Sequence, residues 1–144
     1  MPIKSIAIIC VHASPLARLG GDKAGGMNVY VRELAQEFGS RGIRVDIFTR
    51  YTHPDTPQID VSLGNQVRVI SLEAGPRAPM HPNDVTSHLQ QFTRQLIDFV
   101  ASQDVRYELI HSHYWLSGVV AHQLREHWGI PFVQMFHTLG QMKN

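Results

Sequence analysis

The chain has 144 residues, of which 43% are hydrophobic and 17% charged, a composition typical of one soluble globular domain. Thirteen basic residues and twelve acidic ones give a net charge of +1 without any basic run, which disfavours nucleic acid as a partner. The single cysteine excludes an internal disulfide, and the short apolar amino-terminal stretch lacks a signal-peptide cleavage site; both favour a cytoplasmic protein.

Five apolar runs along the chain are predicted as strands. The first, IAIICV at residues 6–11, is a continuous and largely β-branched run, the pattern of a strand buried on both faces. The other four predicted strands cover residues 45–49, 66–72, 107–111 and 131–136.

Helical periodicity is found between these strands. A first helix is predicted around residues 31–38, a second from about 83 to 100, and a third over 116–128. Residues 51–60, with two prolines, are predicted as a loop, and residues 75–82 as a proline-rich connection. The alternation predicts an α/β fold, a Rossmann-like parallel sheet with helices on both faces.

A glycine-rich segment, RLGGDKAGGMNVY at residues 18–30, separates the first strand from the first helix. Its spacing fits neither the G-x-G-x-x-G dinucleotide fingerprint nor the Gly-Lys-Ser/Thr phosphate loop. Gly25 and Gly26 immediately precede the helix, whose unpaired N–H groups are suited to a phosphate. An ordinary flexible turn is the alternative.

Polar residues cluster where the predicted strands end, an edge at which parallel sheets bind ligands. Four histidines lie near such ends: His12, His111, His113 and His137. A metal site at the His-x-His pair is disfavoured because no Asp, Glu or Cys completes a ligand pattern. Hydrogen bonding to a substrate is favoured, with local backbone contacts as the alternative.

Two aromatic residues follow the fourth predicted strand. Tyr114 is predicted to line the site and Trp115 to enter the core. The sequence has no nucleophile-elbow motif, and Asp22, the only carboxylate of the glycine-rich segment, cannot supply the pair that ordinary glycoside hydrolysis needs.

Four strings carry a family resemblance: HASPLARLGGDKAGGMNVYV, EAGP, IHSHYWLSGVVA and FHTLGQMKN. They resemble the N-terminal half of the family 4 retaining glycosyltransferases with the GT-B fold. This family includes the mycothiol-pathway N-acetylglucosaminyltransferases and the sucrose-phosphate and sucrose synthases. The resemblance covers about residues 6–144.

The resemblance implies transfer of a sugar from a nucleotide diphosphate sugar to a sugar or sugar-phosphate acceptor, with retention of configuration. The donor is expected to be a UDP-sugar, and no metal or other cofactor is implied. Any peripheral membrane contact would belong to the full-length enzyme.

The resemblance also implies roles for individual residues. His113 would be catalytic, stabilising the transition state beside the transferred sugar by hydrogen bonding. The donor would be bound by His12, Gly25 and Gly26. The acceptor would be bound by Asn28, Tyr114 and Thr138, with His137 as a further site residue.

Two departures from the family pattern qualify this hypothesis. The mycothiol enzymes carry a lysine after the AGP string, whereas residues 77–85, RAPMHPNDV, contain none, so a different sugar or alcohol acceptor stays open. The sequence also ends soon after the fifth predicted strand. Residues 1–144 are therefore expected to be an acceptor-binding N-terminal domain without its C-terminal donor-binding domain, inactive alone and marginally stable or dimeric through bare apolar surface. The alternative is a stand-alone module that binds a sugar phosphate or a partner without catalysis.

Overall fold

The computed structural model describes residues 3–12, 14–16 and 26–135. Within them the strands are β1 (Ser5–Ile9), β2 (Arg44–Arg50), β3 (Ile59–Asp60), β4 (Val67–Leu72), β5 (Leu109–His113) and β6 (Phe132–Met135). The helices are α1 (Gly26–Ser40), α2 (Pro82–Val85), α3 (Leu89–Gln103) and α4 (Tyr114–Trp128).

The six strands form one sheet in the order β3-β4-β2-β1-β5-β6. All neighbouring strands are parallel except β3, which pairs antiparallel with β4. Helix α1 packs on one face of the sheet, whereas α3 and α4 pack on the other. The predicted α/β fold with helices on both faces is confirmed. None of the described helices is long and apolar enough to cross a bilayer.

Most element boundaries differ from prediction by a few residues, and three differences affect the arrangement of the elements. The end of the predicted loop 51–60 forms the two-residue strand β3, which is too short to show an alternating pattern. The predicted second helix is divided, because α2 passes through a short 3-10 turn before α3 begins. The fourth predicted strand is shifted by two residues, to Leu109–His113, and α4 follows it without any loop.

The sheet contains a buried ionic network towards the amino-terminal ends of its strands. The network is centred on Asp46 of β2, whose side chain is completely buried. Both carboxylate oxygens of Asp46 accept hydrogen bonds from Arg68 of β4, at 2.9 Å each. The hydroxyl of Tyr107 donates a third bond, at 2.5 Å. The network joins β2, β4 and the segment before β5, and thereby helps to fix their registers.

This network makes stability dependent on pH in the alkaline range. Burial, followed by the neighbouring Asp46 carboxylate, raises the pKa of Tyr107 above its ordinary value. The native protein therefore keeps a proton that the unfolded chain, with a tyrosine pKa of about 10, has lost at higher pH. We expect the free energy of unfolding to fall by up to about 1.4 kcal/mol per pH unit as the pH rises above about 10. Urea unfolding at about pH 9 and pH 11 measures this slope. Tyr107→Phe should reduce it, and equal slopes in both proteins would contradict the assignment.

Candidate functional site

The site lies where the direction of strand order reverses. From β1 the chain adds β2 and β4 on one side of the sheet, and then returns to add β5 and β6 on the other. In doubly wound sheets the crevice at such a reversal, at the carboxyl ends of the strands, is the usual ligand site. His12 follows β1 and His113 ends β5, so two of the four predicted site histidines lie at this edge of the sheet.

An abrupt turn places Tyr114 beside His12. Strand β5 passes directly into α4, and Tyr114 adopts a left-handed backbone with φ of +73°. This conformation costs a non-glycine residue roughly 1–2 kcal/mol, so the surrounding contacts must hold it. The Tyr114 and His12 ring centroids are 4.6 Å apart. The buried Ser117 hydroxyl of α4 also accepts a 3.0 Å hydrogen bond from the Val11 amide, which ties α4 to the segment carrying His12.

His113 lies under α1, on the opposite face of the sheet from the α3 and α4 core. Its side chain is fully buried, with the Tyr30 ring 5.9 Å away. Its Nε2 is 2.9 Å from Nδ1 of His111, so the two histidines point to the same side of the strand. Among the described residues, no three His, Cys, Asp or Glu side chains form a group that could hold a metal ion.

The first turn of α1 is attached to the segment after β1. Gly26 is the first residue of the helix, whereas the sequence predicted it just before a helix around residues 31–38. Asn28, which is buried, donates from Nδ2 to the Ser14 carbonyl at 2.6 Å. Three other predicted site residues lie outside the described residues: Gly25, His137 and Thr138.

A buried arginine shapes the segment that follows β4. Arg50, the last residue of β2, is 2% exposed and donates three hydrogen bonds to backbone carbonyls. The acceptors are Ala74 at 3.0 Å, Ala78 at 2.9 Å and Pro76 at 2.5 Å. Burial lowers the pKa of the Arg50 guanidinium. The guanidinium therefore stabilises this loop through its three hydrogen bonds.

The two basic residues of the 77–85 stretch, Arg77 and His81, are also engaged locally. Arg77 pairs with Glu73, and its guanidinium stacks 3.7 Å from the centroid of the Tyr51 ring. His81 caps α2, its Nδ1 accepting a hydrogen bond from the Asn83 amide at 3.1 Å. Both side chains are thus engaged with neighbouring residues of the same loop region.

The prediction that Trp115 enters the core is wrong, since its side chain is 41% exposed. Because α4 begins at Tyr114, the helical period puts Leu116 and Val120 on the buried face and Trp115 on its flank. There Trp115 borders an apolar groove of about 580 Å³, whose other lining residues are Gly118, Val119, His122, Gln123, Phe132 and Gln134.

Another concavity, of about 440 Å³, lies near the start of β4 and contains none of the predicted site residues. The predicted marginal stability or dimerisation stays a prediction.

Several residues that support the site escaped the sequence analysis. Ser14 accepts the Asn28 bond through its carbonyl and Ser117 accepts a bond from the Val11 amide through its hydroxyl, and nothing in their sequence neighbourhood indicates either role. Gln134 bonds to the Tyr114 carbonyl from the neighbouring strand. Only Gly118 could have been found from the sequence, because a glycine inside a predicted helix indicates that another part of the protein packs closely against the helix there.

Comparison with solved structures defines the class of protein. The fold matches a sucrose-phosphate synthase from Thermosynechococcus elongatus with a TM-score of 0.85 and 36% identity, over 97% of this chain and 34% of that one. It also matches the catalytic domain of starch synthase IV from Arabidopsis thaliana with a TM-score of 0.65 and 14% identity, over 95% of this chain and 34% of that one. The domain thus has the fold of the GT-B glycosyltransferases, as the sequence predicted.

The sequence profile of the glycosyl transferase 4-like domain matches residues 25–143, and the chain belongs to this family. A D-inositol 3-phosphate glycosyltransferase of Corynebacterium urealyticum is 45% identical over 139 residues, which are 96% of this chain and 32% of that protein. The chain therefore spans about a third of the length of the relatives that it matches.

Proposed function

We propose that this chain forms the acceptor-binding part of a glycosyltransferase that moves a sugar from a nucleotide diphosphate sugar, a UDP-sugar, to a phosphorylated sugar or polyol with retention of configuration. The observation that carries this proposal is the meeting of His12 and Tyr114, 4.6 Å apart, at the crevice where strand order reverses. The names of two relatives support a phosphorylated compound in the reaction, one being a D-inositol 3-phosphate glycosyltransferase and the other a sucrose-phosphate synthase.

The amino terminus of α1 is the part of the site suited to the donor diphosphate. Its first N–H groups have no partner within the helix, and the helix dipole adds partial positive charge there. Gly26 allows the diphosphate to approach the backbone without meeting a side chain. Asn28, through its bond to Ser14, holds this terminus against the segment that carries His12.

Tyr114 and His12 supply hydrogen-bonding groups on the acceptor side and the donor side, respectively. We assign the acceptor phosphate to Asn28, Tyr114 and Thr138, as the family resemblance implies, and not to Arg50, Arg77 or His81, whose hydrogen bonds and ion pairs are with local structure. His113 would act on the transferred sugar with its ring oriented by His111. This role requires the side chains that cover His113, Tyr30 among them, to move aside when the donor binds.

The test is turnover of the full-length protein with UDP-glucose or UDP-N-acetylglucosamine. Acceptors are offered as matched pairs, D-inositol 3-phosphate with inositol and fructose 6-phosphate with fructose. UDP release gives the rate, and the NMR coupling constant of the new anomeric proton gives its configuration. We expect turnover with one phosphorylated acceptor, weak turnover with its phosphate-free partner, and the same anomeric configuration in donor and product.

Tyr114→Phe tests the assigned acceptor contact within that assay. The variant should raise the acceptor KM about tenfold, the effect of losing roughly 1.4 kcal/mol of binding, and should leave the donor KM unchanged. Tyr51→Phe is the matched control, because Tyr51 contacts Arg77 through its ring, which phenylalanine retains. Binding of a sugar phosphate without any UDP release would instead identify a binding module.

A further inference from the structure

The side-chain amide of Gln134, on β6, connects three elements at the edge of the site. Its Oε1 accepts a hydrogen bond from the Ser112 hydroxyl of β5 at 2.5 Å. Its Nε2 donates to the Tyr114 carbonyl, at the start of α4, at 3.0 Å. Both polar ends of the amide are thus engaged, which fixes its orientation. We call this arrangement of Ser112, Gln134 and the Tyr114 carbonyl the amide bridge.

The amide bridge acts on the strained point of the site. The backbone of Tyr114 has a φ of +73°. The N-cap residue of α4, His113, makes no side-chain capping hydrogen bond. The peptide after Tyr114 is therefore held in part by the hydrogen bond from Gln134. On the other side, the bond between Ser117 and Val11 fixes α4 to the segment that carries His12. Both attachments thus lie next to the contact between the Tyr114 and His12 rings.

A glycine makes room for the amide bridge. A Cβ atom at Gly118, one turn into α4, would collide with Oε1 of Gln134. Glycine is unfavourable inside a helix, so its presence at this position needs a packing reason. The close approach of the Gln134 amide supplies that reason.

We infer that Gln134 is a positioning residue for acceptor binding: by holding the left-handed turn at Tyr114, it sets the direction of the Tyr114 side chain at the acceptor. The inference rests on the proposed function, because it takes Tyr114 to contact the acceptor. Gln134 itself need not touch the substrate.

Two substitutions disturb the amide bridge without changing Tyr114. Gln134→Met keeps the length of the side chain and removes both hydrogen bonds. Gly118→Ala keeps Gln134 and displaces its amide, while the higher helix propensity of alanine favours folding. In the full-length protein, each should raise the acceptor KM about tenfold and leave the donor KM unchanged. The matched control is Gln123→Met, an exposed glutamine on the same groove, which should change neither KM.

Gly118→Ala separates positioning from general stability. Its thermal unfolding midpoint should lie close to that of the parent, because the gain in helix propensity offsets the lost hydrogen bonds, although its acceptor KM is raised. If Gln134→Met does not fold, this variant still decides the question. An unchanged acceptor KM in folded Gly118→Ala, with its crystal structure showing the amide displaced, would overturn the inference.

A double-mutant cycle distinguishes failure of this inference from failure of the proposed function. If Gln134 acts through Tyr114, adding Gln134→Met or Gly118→Ala to Tyr114→Phe should raise the acceptor KM no further. Additive effects would overturn the positioning role and leave the role of Tyr114 intact. An acceptor KM unchanged by Tyr114→Phe alone would overturn the acceptor contact itself, and the positioning role with it.

Discussion

Replacement of Asp46 by alanine is expected to lower the free energy of unfolding by about 3–5 kcal/mol, the usual cost of breaking a buried ion pair by removing one partner. The Asp46 side chain is completely buried, and it accepts hydrogen bonds from both Arg68 and Tyr107. Its loss leaves the partly buried Arg68 guanidinium and the buried Tyr107 hydroxyl without their acceptor. Equilibrium urea unfolding measures the change, and Asp46→Asn, which retains one acceptor oxygen, should cost less.

The matched control is Glu37→Ala, which removes an ion pair from the exposed face of α1. Arg41 and Glu37 lie 2.7 Å apart, with side chains 70% and 57% exposed, respectively. Exposed pairs of this kind contribute roughly 0.3–0.5 kcal/mol. Equal losses for Asp46→Ala and Glu37→Ala would show that the buried network adds nothing beyond a surface pair.

Gly26→Trp in the full-length protein is expected to reduce sugar transfer by at least about a hundredfold, a loss comparable to removing one preorganised donor from an oxyanion site. Gly26 is the first residue of α1, where the proposed function puts the donor diphosphate. An indole there would occupy the space that the diphosphate needs near the backbone N–H groups. Initial-rate measurements at saturating acceptor, together with donor binding by calorimetry, give the effect.

Ser40→Trp provides the control, because it introduces the same side chain at the exposed last residue of the same helix. It should leave transfer unchanged. The circular dichroism spectra of both variants should match that of the parent, which separates blocked binding from misfolding. A folded Gly26→Trp variant with parental turnover would refute the assignment of the diphosphate to this helix terminus.

The sheet could be predicted from the sequence because its central strands are buried on both faces. Such strands are continuous apolar runs, as at β1, and are recognised without knowledge of their neighbours. Strand β3 could not be predicted, since two residues cannot display a period and its pairing with β4 is a tertiary event. The sequence predicts that this strand ends at residue 111, two residues before β5 ends. Ser112 and His113 are polar although they are buried, so they do not extend the apolar run from which a strand is predicted.

The candidate site could be predicted only as far as strand ends define it. His12, His113 and Tyr114 follow from the rule that parallel strands end at a common edge. The amide bridge depends on the register that puts Ser112 opposite Gln134. The register between two strands cannot be predicted from the sequence of either strand alone. The exposed position of Trp115 likewise depends on where α4 begins, which the left-handed turn at Tyr114 determines.

The hydrogen bonds of Arg50 have a consequence for substitutions in the loop after β4. Arg50 reaches this loop through backbone carbonyls alone, so these three bonds do not depend on which side chains the loop carries. The exposed Ala78 can therefore be exchanged while the bonds remain, whereas exchange of Arg77 also removes its contacts with Glu73 and Tyr51. On the proposed function, a lysine introduced at position 78 would add a cation to this loop without changing the bonds that hold it.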